Sequence, residues 1–147
     1  MTKFIALLLG CFMFFQAHAF QCFLTLVKDS CWTNYNVNVV ITNASTGKAI
    51  TDVNVYLGKS WNRVQFECQP GETLSFSASF TPVFWQSDQG KVYPGFHDWT
   101  LPLKPAKGET AWNITLCYPE QFSEVPLPPT AGNSCKCNKE DIPPPKP

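Results

Sequence analysis

Cys22, Cys31, Cys68, Cys117, Cys135 and Cys137, with His97, carry most of the reactive chemistry between residue 20 and the C-terminus. Six cysteines in a short chain point to disulfides in an oxidising compartment, and to metal or redox chemistry elsewhere. A zinc site would want C-x-x-C spacing or histidine partners. A redox dithiol would want C-x-x-C at a helix N-terminus, where the thiol pKa is depressed. The one close pair, Cys135-Lys136-Cys137, has neither spacing, and this region holds a single histidine. Structural disulfides are therefore expected, with no metal and no cofactor.

Six cysteines allow 15 pairings. A bond within Cys135-Lys136-Cys137 would close a very tight ring, so each of the two is expected to reach a different distant partner. The favoured arrangement joins Cys68 to Cys117, at the ends of two expected core strands, and ties Cys22 and Cys31 to the tail pair. Its rival joins Cys22 to Cys31 across an N-terminal hairpin and leaves Cys68 and Cys117 for the tail.

The compartment is read from residues 1–19. Lys3, the apolar run Phe4 to Phe15 and the small-residue site Ala17-His18-Ala19 have the order of a cleavable secretory signal peptide. The apolar run is shorter than the roughly 20 residues a membrane span needs. Leu8-Leu9-Gly10-Cys11 resembles a bacterial lipoprotein processing site, but the apolar run continues past Cys11, which reads as one more apolar residue of the signal. Cleavage near Ala19 and a secreted or periplasmic destination are expected. No second apolar run is long enough for a membrane span.

Lys3 is the one charged residue of 1–19, so the 128 residues that follow carry 10 Lys plus Arg against 11 Asp plus Glu. A scattered charge of about −1 gives no electrostatic case for nucleic acid or anionic lipid.

Period-two alternation recurs from Phe20 to Tyr118, without a helical i, i+3, i+4, i+7 pattern. Thr73 to Phe80 sets Leu74, Phe76, Ala78 and Phe80 on one face and three serines on the other. Tyr35 to Thr42 repeats this with Val37, Val39 and Ile41 inward, and Val53, Val55 and Leu57 continue it. Further strands are expected near 22–28, 63–68, 82–86 and 110–118. The fold class is all-β: a small disulfide-stapled β-sandwich of immunoglobulin-like architecture over residues 20–118, with a closed barrel as the structural alternative.

After Tyr118 eight prolines fall within 29 residues. Residues 119–147 cannot build a core and read as a Pro-rich tail, tied back by Cys135 and Cys137 and ending in a frayed polyproline stretch at 142–147.

His97 is the one mature-chain histidine, and no G-x-S-x-G elbow accompanies it, so most acid–base and nucleophilic schemes lose a member. A small hydrolase centred on His97 is the third reading. Aromatics concentrate in the loop from Trp85 to Trp99, where Trp85, Tyr93, Phe96, His97 and Trp99 surround two glycine turns. Such rings either cap one end of the sandwich or offer a binding surface. Trp32, Trp61 and Trp112 are expected in the core. The leading reading is a non-enzymatic module binding a protein partner through Trp85, Tyr93, Phe96, His97 and Trp99, helped by a free sheet edge. The alternative is a carbohydrate-binding module using the same rings as stacking platforms, which needs Trp85, Tyr93 and Trp99 exposed and coplanar.

Overall fold

A computed structural model describes residues 20–146; the expected signal peptide, residues 1–19, lies outside the described residues. Eight strands follow in order: β1 (Phe20–Lys28), β2 (Asn36–Asn43), β3 (Ala49–Val55), β4 (Trp61–Cys68), β5 (Thr73–Thr81), β6 (Tyr93–Pro94), β7 (Trp99–Thr100) and β8 (Ala111–Tyr118). They form two stacked sheets, β4-β1-β8 and β3-β2-β5-β6, with β7 also on β5. The molecule is a disulfide-stapled β-sandwich. β1 lies between antiparallel β4 and parallel β8.

The alternating residues meet between the sheets as the pattern requires. Val37, Val39 and Ile41 of β2, Leu74, Phe76, Ala78 and Phe80 of β5, and Trp112, Ile114 and Leu116 of β8 are all buried in one core. Trp32 is fully buried, whereas Trp61 is half-buried beneath the Arg63 guanidinium, 5.4 Å from its ring.

Two local expectations fail. Leu57 does not continue the inward face of β3; it is exposed at a hairpin tip where Gly58 has φ +80°. Residues 82–86 form no strand, because Pro82 has no N–H to donate to a ladder and the chain leaves the sheet for a 3₁₀ turn at Gln86–Asp88. β1, unlike the half-buried strands, is buried on both faces from Cys22 to Lys28. Cys22, Leu24 and Leu26 face the core, so Phe23, Thr25 and Val27 occupy the opposite face.

The C-terminal segment crosses that outer face. Cys137 is bonded to Cys117, whose neighbour in register is Val27. Six residues later the Pro143 carbonyl accepts from Arg63 Nη2 at 2.7 Å, while Arg63 Nε donates to Thr25 Oγ1 at 2.7 Å. The segment thus passes from β8 over β1 to β4, held as far as Pro143 rather than frayed from residue 142.

Candidate functional site

The aromatic loop divides into two parts with different fates. Its first half turns inward. Phe84 packs against Trp32, Tyr35 and Phe80, with ring centroids 5.7, 5.3 and 4.9 Å away. Tyr93 pairs with Ala78 of β5, and the small alanine leaves its ring room to stack on Phe80 at 5.8 Å. Tyr93 is 2% exposed, so it belongs to the core and not to the expected binding surface. Burial, and then the charge of Asp88, push its hydroxyl pKa upward. Trp85 stays 57% exposed, edge-on to Phe84.

The second half turns outward. Gly95 N–H donates to the Phe76 carbonyl at 2.8 Å, Phe96 N–H to the Gln121 carbonyl at 3.0 Å, and Ser123 N–H to the Pro94 carbonyl at 2.8 Å. A Cβ at Gly95 would stand 3.4 Å from the Phe76 oxygen, an ordinary contact, so the approach rests on these hydrogen bonds and not on the glycine. Residues 93–96 are thereby clamped between β5 and the turn after β8.

The clamp leaves a cleft of about 340 Å³ between the sheets, on the side where β8 and β7 lie. Buried Phe76, Leu116 and Phe122 line it from the core, and Phe96, at 58% exposure, and Trp99, at 41%, are its exposed rings. His97, Asp98 and Glu120 add polar groups, and none of the three side chains makes a hydrogen bond among the described residues. Phe96, His97 and Trp99 therefore line one cleft, while Trp85 stands apart and Tyr93 is withdrawn. Glu120 and Gln121 were not anticipated. They follow the last strand, in a region whose only sequence signal is proline content.

The cysteines pair as Cys22–Cys68, Cys31–Cys135 and Cys117–Cys137, with Cα separations of 5.9, 5.3 and 6.0 Å. The tail cysteines reach different distant partners, and Cys31 is one of them. The expected Cys68–Cys117 bond does not form and Cys22 is not tied to the tail; the rival Cys22–Cys31 bond is absent as well. Strand register is the reason. Cys68 pairs with Phe20 and Cys117 with Val27, on opposite flanks and near opposite ends of β1, about 20 Å apart by strand rise alone. That is far beyond the reach of a disulfide. Cys22 instead meets Cys68 across the β1–β4 ladder.

Asp29 stands with Cys31 and Cys135, three potential metal-ligating atoms within 4.8 Å of one another. The two sulfurs are bonded to each other and offer no thiolate. Asp29 caps the 3₁₀ turn Ser30–Trp32 by accepting from Cys31 N–H at 2.9 Å, and burial raises its carboxyl pKa against that bond.

Three disulfides fit an oxidising, extracellular or periplasmic setting. Among the described residues no helix is long and apolar enough to cross a membrane. In comparison with known proteins, no family model and no curated protein matches the chain.

Proposed function

We propose that this chain is an exported, non-enzymatic interaction module that binds a protein in the cell envelope or extracellular space through the cleft rimmed by Phe96, His97 and Trp99. The signal peptide read over residues 1–19 supplies the route. The observation that carries the reading is the exposure of Phe96 and Trp99 over an apolar floor, since large rings left uncovered beside a core are typical of contact surfaces. Tyr93 is removed from that surface. The carbohydrate alternative loses its central ring with Tyr93, although Trp85 and Trp99 stay exposed. The hydrolase reading would need a partner orienting His97, and among the described residues its side chain has no hydrogen bond.

The test is affinity capture from an envelope extract with the disulfide-bonded protein, beside a Phe96→Ala/Trp99→Ala variant whose fold is checked by near-UV circular dichroism. A specific protein captured by the parent and lost by the folded variant is the expected result. An unchanged set of captured proteins overturns the reading, and a hit on a glycan array abolished by Trp99→Ala would replace it with the carbohydrate one.

A further inference from the structure

Resting on the interaction-module reading, we propose that the partner binds as an extended peptide strand added to the free edge of β8, with a lysine or arginine side chain in the adjoining cleft. β8 pairs with β1 on one side and ends its sheet on the other. The Cys117 main chain shows which groups face outward: its N–H donates to Gln121 Oε1, and its carbonyl accepts from Gln121 N–H at 3.1 Å. The two-residue period of a strand puts the Asn113 and Thr115 main chain on the same edge. Among the described residues, no group of the protein outside the β1 ladder bonds to them there. The uncapped edge from Ala111 to Thr115 spans about 17 Å, room for about five residues of a partner strand.

Edge strands are normally guarded by charges or prolines. β3 carries Asp52 and β4 carries Arg63 and Glu67, whereas β8, Ala111–Tyr118, has no charged residue and no proline. A strand laid beside it would send every second side chain inward between the sheets, and the one following Thr115, level with Leu116, would enter the cleft that Leu116 lines. The cleft lining contains Asp98 and Glu120 but no lysine or arginine. Phe96 and Trp99 give rings on which an alkyl stem can lie while its cationic head meets the carboxylates. Chain geometry thus sets an extended backbone, and charge sets a cationic residue.

The probe is a fluorescein-labelled peptide of alternating threonine and valine with one central lysine, added to the disulfide-bonded protein. It is compared with the same peptide carrying glutamate in place of lysine, and with a lysine peptide N-methylated at alternate amides in either register. We expect saturable binding of the lysine peptide, with amide exchange at Asn113 and Thr115 slowed at least about tenfold. We expect the glutamate peptide to bind about fivefold more weakly, a preference lost in Asp98→Asn/Glu120→Gln, and binding to be lost with one register of N-methylation. Failure of the lysine peptide to bind overturns the proposal. So does binding that leaves both amides exchanging freely, or equal affinity for the glutamate peptide. The interaction-module reading fails separately, by the capture experiment; a partner lost with Phe96→Ala/Trp99→Ala but leaving the Asn113 and Thr115 amides unprotected would keep that reading and remove strand addition.

Discussion

The sheet β4-β1-β8 offers two surfaces that the sandwich core does not use, and the chain treats them in opposite ways. Its outer face, on which Phe23, Thr25 and Val27 are all buried, is crossed by the chain's own C-terminal segment, held beside Val27 by the Cys117–Cys137 bond and beside Thr25 by the Arg63–Pro143 contact. Its β8 edge and the neighbouring cleft are left uncovered, although Phe96 and Trp99 stand beside an apolar floor. Hydrophobic burial alone would favour closing both. Part of the 29 residues after β8 covers the first, and the second is the side we propose a partner occupies.

The comparison predicts that damage to the covered face costs stability and damage to the open side costs binding. The largest effect is expected from Phe23→Ala, which should lose about 3 to 5 kcal/mol of unfolding free energy in urea titration. Next comes Cys117→Ser/Cys137→Ser, which opens a loop with a sequence separation of 20. It should cost about 3 kcal/mol and speed amide exchange on the outer side of β1. By contrast Phe96→Ala/Trp99→Ala should shift stability by no more than about 0.5 kcal/mol per residue while weakening partner binding at least tenfold. A large stability loss in that variant would place the two rings in the core and dissolve the distinction.

A further effect, linked to pH, concerns Lys28, at the end of β1. It is 2% exposed, and its Nζ donates to the Tyr35 and Tyr56 carbonyls at 2.7 and 3.0 Å. Burial lowers its pKa from 10.5 to about 8. Between about pH 8 and 10 the unfolded chain keeps a proton that the folded chain releases, so this group makes stability rise with pH over that window. Lys28→Met should remove the rise, measured as the difference in urea midpoint between pH 7.5 and 9.5.

The residues disclose this architecture unevenly. Leu74, Phe76, Ala78 and Phe80 alternate with serines, and such a row can only be a half-buried strand. The same logic is silent for β1, where both rows are apolar enough to bury and nothing in 22–28 names what covers the second. The disulfides were not legible because pairing depends on which strand lies beside which: parallel β8 and antiparallel β4 on either side of β1 set Cys117 and Cys68 apart. In the aromatic loop no period operates. Tyr93 goes inward because Ala78 lies opposite and Phe96 outward because Gln121 holds its N–H, and both partners are distant in sequence.

The most direct test is site-specific photocrosslinking in cells, with benzoylphenylalanine replacing Phe96 in one strain and Trp85 in another. Both positions are exposed aromatics of one loop, and only Phe96 borders the cleft. The account predicts a discrete protein adduct from position 96 and none from position 85. Equal adducts from both, or an adduct from 85 alone, would contradict the claim that the cleft is where this protein meets its partner.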